Sequence, residues 1–273
     1  MNTTITLNDG YAIPSLGLGT FRALDDECER AVEFALTHGY DHVDTAQGYG
    51  NERQVGRGLK ASGRPREEIF ITTKISYSHQ GYNATIKSFE QSLIDLQSDY
   101  VDLVLIHWPN VNNFDLTIEN WRALVDVQAK GQSRSIGVSN FTIPLIEKLL
   151  AETDVVPAIN QVEFHTFLYQ KALLDYCQRK GIQIEAYSPI AKAKFFEHED
   201  LQKIAQKYGK TPAQIMLAWL FNHNLVAIPK SVSEERILEN ADVFFEFEAE
   251  DMDMLNNLQP QTRLVKELGV FDD

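Results

Sequence analysis

Apolar positions along the chain fall into short, nearly continuous runs separated by longer stretches with helical spacing. The runs lie at residues 16–18, 42–44, 69–73, 101–107, 135–139, 158–163, 183–187 and 225–229, eight in all. They are rich in Val, Ile and Leu at successive positions, as parallel strands covered on both faces are. Between them, residues 27–38, 83–96, 118–130 and 170–180 carry the three-to-four spacing of amphipathic helices. Gly39, Gly131 and Gly181 each follow a helical stretch and precede a strand, the position of a helix-terminating glycine. Ahead of the first unit, Ile5-Thr6-Leu7 and Tyr11-Ala12-Ile13 flank Asn8-Asp9-Gly10, which predicts a hairpin. Residues 251–258 read as an additional helix before an irregular tail.

Eight strands over 273 residues leave about 34 residues per unit, room for one strand and one helix each. No linker, charge block or low-complexity stretch interrupts the series. The pattern predicts an α/β fold: one domain over residues 1–273, a (β/α)8 TIM barrel with an N-terminal hairpin cap and an extra C-terminal helix. The rival is a doubly wound dinucleotide fold. Gly17-Leu18-Gly19-Thr20-Phe21-Arg22 approaches G-x-G-x-x-G, but Arg22 replaces the third glycine and no helical pattern starts at Gly19.

Composition narrows the partners. Hydrophobic residues make up 44% and charged residues 23%, with mean hydropathy −0.26, which excludes a disordered or collagen-like chain. The 25 Lys+Arg against 39 Asp+Glu leave a formal charge of −14. Such a surface repels phosphate backbones and anionic membranes, so no nucleic-acid or membrane partner is expected. A local basic site for a small anion stays open. Two cysteines without a CxxC or a histidine cluster predict neither a disulfide framework nor a metal site. No leader or long apolar segment is visible, and the chain is expected to be cytoplasmic and monomeric.

In a barrel, chemistry gathers where strands end at the C-terminal face, and the predicted strand ends are polar. They include Asp44-Thr45-Ala46 with Tyr49 beyond, Thr73-Lys74, His107-Trp108, Ser139-Asn140, Gln161-Val162-Glu163, Tyr187-Ser188 and Lys230-Ser231. Each has an ordinary structural explanation alone: Asp44 as a cap, Lys74 as a surface lysine, His107 as a core histidine. Together they form a chemical set. A tyrosine titrates near 10, too high for easy proton transfer, and a neighbouring ammonium lowers that value. A carboxylate keeps the ammonium charged, and a neutral histidine donates to a carbonyl oxygen. None of the four is a hydride source, so a nicotinamide cofactor is implied.

At these residues the sequence resembles the aldo-keto reductase superfamily. Asp44-Thr45-Ala46-Gln47-Gly48-Tyr49-Gly50-Asn51-Glu52 matches D-T-A-x-x-Y-x-N-E, and Gly137-Val138-Ser139-Asn140-Phe141 matches G-[VI]-S-N-[FY]. Ile228-Pro229-Lys230-Ser231, with Arg236, Glu239 and Asn240, matches I-P-K-S-x-x-x-x-R-x-x-E-N. Phe141-Thr142-Ile143-Pro144-Leu145 and Thr211-Pro212-Ala213-Gln214 resemble the bacterial 2,5-diketo-D-gluconate reductases of the B type.

The resemblance implies a catalytic tetrad of Asp44, Tyr49, Lys74 and His107, with Tyr49 as general acid, Lys74 and Asp44 tuning it and His107 orienting the carbonyl. It implies NADPH across the barrel mouth. Ser139, Asn140 and Gln161 would hold the carboxamide, Tyr187 would stack on the nicotinamide, and Ser188 and Ile190 would touch the pyrophosphate. Lys230, Ser231 and Arg236 would grip the ribose phosphate, and Glu239 and Asn240 the adenine. Gly19, Thr20, Asp44 and Val232 complete the cofactor contacts, and Phe21, Tyr49, His107 and Trp108 the substrate contacts. Ion pairing of Arg236 with Glu234, Glu235 or Glu239 is the structural alternative. Ser76 stands where many relatives carry an aromatic, and Tyr77 or Tyr82 is expected to substitute.

The activity implied is NADPH-dependent reduction of small aldehydes and ketones, 2-oxoaldehydes such as methylglyoxal and keto-sugars such as 2,5-diketo-D-gluconate included. A Schiff-base aldolase on Lys74 or Lys230 is the enzymatic alternative, and it leaves Tyr49 and the Lys230–Arg236 cluster without a role. A non-catalytic member of the superfamily is the third, against which the intact tetrad argues. A double-bond reductase of the superfamily would lack His107.

Overall fold

The computed structural model describes residues 3–265 and residue 270. At its start, β1 (Thr4–Thr6) and β2 (Ala12–Pro14) pair antiparallel with Ile5 opposite Ile13. Gly10 turns the hairpin with φ 89° and donates to the Leu7 carbonyl. Eight parallel strands follow: β3 (Leu18–Gly19), β4 (His42–Asp44), β5 (Phe70–Ile75), β6 (Val101–Ile106), β7 (Ser133–Ser139), β8 (Ile159–Glu163), β9 (Gln183–Tyr187) and β10 (Val226–Ala227). Each neighbours the next in sequence. The ends of the series also meet. Leu16 bridges Ala227 and Gly19 bridges Lys230 in parallel, with Gly17 N donating to Ala227 O at 2.9 Å and Gly19 N to Pro229 O at 3.1 Å. The sheet therefore curls back on itself, an arrangement consistent with a (β/α)8 barrel.

That closure explains the Gly-x-Gly. A Cβ on Gly17 would stand 2.5 Å from His42 Nδ1, and one on Gly19 would stand 2.7 Å from the Ile228 carbonyl oxygen. The glycines let the first strand pack tightly against its neighbours, and no helix begins there. The doubly wound alternative fails on this point and on the strand order.

Helices cover the strands: α1 (Asp25–Thr37), α2 (Glu52–Ala61), α3 (Tyr82–Leu96), α4 (Phe114–Ala129), α5 (Ile143–Leu150), α6 (Lys171–Lys180), α7 (Glu199–Tyr208), α8 (Pro212–Asn222), α9 (Glu234–Glu239) and α10 (Ala249–Asn256). Gly39, Gly131 and Gly181 end α1, α4 and α6 with φ of 96°, 71° and 71°. In α8, Thr211 accepts from the Gln214 amide and Gln214 returns the bond, with Pro212 opening the helix. The expected extra helix is α10. The tail after it is irregular to residue 265, and residues 266–269 and 271–273 of the expected tail lie outside the described residues. The unit between β9 and β10 holds two helices, α7 and α8, because Gly209, at φ 62°, ends the first and Thr211-Pro212 starts the second.

Two apolar layers follow from strand alternation. Outward residues such as Val43, Val104 and Ile184 join Val32, Phe89, Trp121 and Trp219 beneath the helices. Inward residues Phe70, Leu103, Leu105, Ile159 and Val226 fill the barrel at its hairpin end, where Leu7 and Ile13 plug it. Toward the other end the buried inward positions turn polar: His42, Asp44, Thr72, Lys74, Gln161 and Glu185. A buried ionisable group is costly unless paired, so this reversal marks the candidate functional end. Cys28 and Cys177 are buried free thiols. No helix among the described residues is long and apolar enough to cross a membrane.

Candidate active site

Register assembles the site. Asp44 closes β4 opposite Gly19, Lys74 lies on β5 opposite Leu105, and His107 follows β6 with its amide bonded to the Ile75 carbonyl. After β4 the chain makes a short 3-10 turn, Gln47–Tyr49, ended by Gly50 at φ 68°. This turn brings Tyr49 over the barrel interior. Lys74 Nζ, fully buried, donates to Asp44 Oδ1 at 2.6 Å, to Thr45 O at 2.8 Å and to the Tyr49 hydroxyl at 3.3 Å. The Tyr49 ring meets His107 edge-on at 5.6 Å between centroids and Phe21 at 5.0 Å. Phe21 is 47% exposed and walls the opening, whereas Trp108 is buried.

The electrostatics assign protonation states. Burial opposes the Lys74 charge, but Asp44, Tyr49 and Glu185 outweigh it and hold the ammonium more firmly than in water. Burial lifts the Asp44 carboxyl above its usual range, against the pull of Lys74 and Gln161. Tyr49 departs from the expected lowering. Burial raises its pKa more than Lys74 lowers it, so the phenol is protonated at neutral pH. His107 is pushed down to about 3 by burial, with Lys74 adding repulsion, so its ring is neutral. The pH profile of kcat/KM at this site is therefore expected to show no histidine inflection near pH 6.5. A rate series from pH 5 to 8 that falls through a single such ionisation would show His107 to be solvated and charged.

The strand ends expected to hold the cofactor are stitched together. Ser139 Oγ donates to Gln161 O at 2.8 Å, Asn140 Nδ2 to His107 O at 3.0 Å, and the Tyr187 hydroxyl to Asn140 Oδ1 at 2.8 Å. Gln161 Nε2 donates to Asp44 Oδ2 and to Glu185 Oε2, each at 2.8 Å. Gly19 and Thr20 bond within the barrel wall, Thr20 to Asp44 O through both its amide and its hydroxyl. Past β9, Ser188 opens a loop in which Ser188, Ala191, Lys192 and Ala193 all have positive φ, with Ile190 half-buried against the core. Non-glycine residues hold such angles at a cost, and they concentrate at functional loops.

After β10, Lys230 is exposed, Ser231 is buried and Val232 packs on the core. Arg236, Glu239 and Asn240 follow on and after α9. Among the described residues, neither Lys230 nor Arg236 forms an ion pair, so the alternative pairing of Arg236 with Glu234, Glu235 or Glu239 is not realised. Glu239 instead accepts from Thr211 Oγ1 at 2.5 Å. The Tyr82 hydroxyl donates to Asp126 Oδ2 on α4. Ser76 is tied through its amide to Gln47 Oε1.

Sequence reasoning passed over the supports of the site. Asn51 Nδ2 holds the Thr20 and Ala23 carbonyls, and Glu52 accepts from Thr73 Oγ1 and Ser92 Oγ. His42 and Glu185 lie wholly buried beneath the tetrad residues. Their signal was present: a glutamate inside the run Ile184-Glu185-Ala186 is expensive to bury without a purpose. No group of three or more His, Cys, Asp or Glu among the described residues is placed to hold a metal.

Residues 15–260 match the Aldo/keto reductase family. The chain belongs to that family. Among proteins of this family, it is 45% identical over 266 residues to the glyoxal reductase of Bacillus subtilis, covering 97% of this chain and 95% of that one. The crystal structure of an aldo/keto reductase from Brucella melitensis superposes with a TM-score of 0.91 at 43% identity, covering 94% of this chain and 99% of the other. An aldo-keto reductase of Bombyx mori, solved in complex with NADP, superposes with a TM-score of 0.91 at 35% identity, covering 98% and 96%. As a member of this family the chain is an oxidoreductase.

Proposed function

We propose that this aldo-keto reductase uses NADPH to reduce small aldehydes and ketones to alcohols. 2-Oxoaldehydes such as methylglyoxal, and keto-sugars such as the 2,5-diketo-D-gluconate of the B-type bacterial reductases, are its substrate classes. One observation carries the reading: a protonated Tyr49 hydroxyl lies 3.3 Å from a buried, charged Lys74 and beside a neutral His107. Family membership and the relative named glyoxal reductase support the same class.

The residues present fit the cofactor. Gln161 turns its NH2 end inward to two carboxyl groups, which leaves its carbonyl oxygen as an acceptor for a carboxamide N–H. Lys230 and Arg236 are exposed cations without carboxylate partners among the described residues, in a chain of charge −14 that otherwise disfavours a phosphate. When bound, NADPH would supply the hydride to the carbonyl carbon. The chain's own part is the proton. His107, neutral and without a competing charge, donates to the carbonyl oxygen and sets its approach to Tyr49. Tyr49 passes its proton to that oxygen, and the adjacent Lys74 ammonium stabilises the phenolate left behind. Asp44 keeps Lys74 charged and aimed.

The aldolase alternative requires a neutral amine. Lys74 is held charged by Asp44, and a Schiff base on Lys230 would leave the buried site unused. NADPH oxidation against glyoxal, methylglyoxal, simple aldehydes and keto-sugars tests the reading. Turnover with none of them would refute it.

Arg236, with Lys230, reads the phosphate that distinguishes NADPH from NADH. Charge-assisted bonds contribute about 1.5–3 kcal/mol each, so Arg236→Ala is expected to raise the NADPH Kd by roughly 10- to 150-fold. NADH affinity should barely move, and the NADPH loss should shrink with salt. Fluorescence titration of both cofactors at two ionic strengths measures this. Equal losses for both would make Arg236 a loop support.

A further inference from the structure

Glu185 lies beneath the site, and the proton transfer from Tyr49 does not use it. It stands mid-strand in β9 with Gln161 as its register partner on β8 and Val226 as its partner on β10. Gln161 Nε2 bridges its carboxyl to Asp44, which accepts from Lys74, which reaches Tyr49. A continuous series of hydrogen bonds therefore links Glu185 to the Tyr49 hydroxyl. A carboxamide has two chemically distinct ends. Two carboxyl oxygens as acceptors select the NH2 end of Gln161, and Asp44 alone would leave that choice weaker.

The other groups facing Glu185 are few. His42 Nε2 lies 3.7 Å from Glu185 Oε1, but burial, and Lys74 after it, push His42 down to about 3, so it stays neutral. On β10, Val226 and Ala227 bring no charge. Among the described residues Glu185 Oε1 has no hydrogen-bond partner, a costly state for a buried carboxylate oxygen and a milder one for the carbonyl oxygen of a protonated carboxyl.

We propose that Glu185 is a positioning residue for the reductase site: it pins the Gln161 amide, and on ionising it places a second negative charge beside Asp44 that keeps the proton on Tyr49. The proposal rests on the reading of Tyr49 as proton donor. Burial foremost, and Asp44 after it, lift Glu185 to about 8, so it changes charge within the range of an ordinary pH profile. The sign is then determined. Above that value the added negative charge disfavours the phenolate, and Tyr49 releases its proton at higher pH than it would beside a neutral group.

Two variants separate the parts. E185Q keeps an oxygen for Gln161 and abolishes the ionisation. E185L removes the acceptor as well. In the cofactor-free protein, NMR of 13Cζ-labelled tyrosine, with Y49F assigning the signal, should show the Tyr49 midpoint lower in E185Q by about half a unit to one unit. NADP+ should bind E185L about fivefold more weakly than wild type, the equivalent of one lost hydrogen bond. A Tyr49 titration in E185Q that superimposes on wild type overturns the proposal. So does unchanged NADP+ affinity in E185L with a native near-UV circular dichroism spectrum. Neither readout needs turnover, so a protein inactive toward every carbonyl would refute the functional reading while leaving this result legible.

Discussion

Tyr49→Phe is expected to lower kcat/KM for NADPH-dependent carbonyl reduction by about 10²–10⁴-fold, the usual worth of a positioned general acid. Among the described residues the phenol is the one protonated, neutral acid hydrogen-bonded to Lys74, and the variant removes its single oxygen. His107 cannot readily replace it, because a ring held near 3 carries one proton that it needs for orienting the carbonyl. The fold should survive. The hydroxyl takes a 3.3 Å bond from Lys74, whose shorter bonds to Asp44 and Thr45 remain, and the ring keeps its contacts with Phe21 and His107. NADPH affinity should persist, since no cofactor contact is assigned to the hydroxyl. The measurement is steady-state kinetics on methylglyoxal beside an NADPH titration. Near wild-type kcat would move the proton-donor role to His107.

Lys74→Met is expected to cost both activity and stability. Removing one partner of a buried ion pair leaves the other charge uncompensated, typically at about 3–5 kcal/mol. Here Asp44 and Lys74 are both buried and bonded at 2.6 Å. Burial already lifts the Asp44 carboxyl, so it can take up a proton when the ammonium goes, which places the loss toward the lower end of that range. Activity should fall further than in a purely structural variant, because no cation remains to stabilise the Tyr49 phenolate. Urea unfolding at pH 7 and kcat/KM in the same preparation measure the two effects. Adding Asp44→Asn should restore part of the stability and none of the activity. A Lys74→Met protein as stable as wild type would show that the pair is solvated and that its charges do not drive the site.

Much of this molecule was legible from the order of its residues, for local reasons. Val/Ile/Leu runs of strand length, helical spacing between them and glycines at the helix stops are short-range properties. They predicted the eight parallel strands, the hairpin and the additional helix, with β4 and β9 at the expected bounds. Errors sit where pairing decides an edge. Residues 225–229 read as one strand, but β10 is only Val226–Ala227, with Ile228 N still bonded to Ala186 O on β9 and Pro229 O accepting from Gly19 N on β3. Asp44, Tyr49, Lys74 and His107 were also visible, because strand-end position and motif spacing are written in the chain.

Protonation and partnership required the tertiary structure. Sequence chemistry expected Lys74 to lower the Tyr49 pKa, but burial outweighs the ammonium, and burial exists only once the barrel has closed. Arg236 was undecided between its acidic neighbours and a phosphate, and only the packing of α9 leaves it unpaired while Glu239 turns to Thr211. The pairing of Gly17 and Gly19 resembled a nucleotide loop until the approach of His42 and Ile228 showed them to be closure points. Glu185 joins Asp44 through Gln161 across 117 residues of chain between Asp44 and Gln161. Spacing predicts which residues a strand turns inward. Which of them touch, and how far water is from them, depends on the curvature and register of the closed sheet.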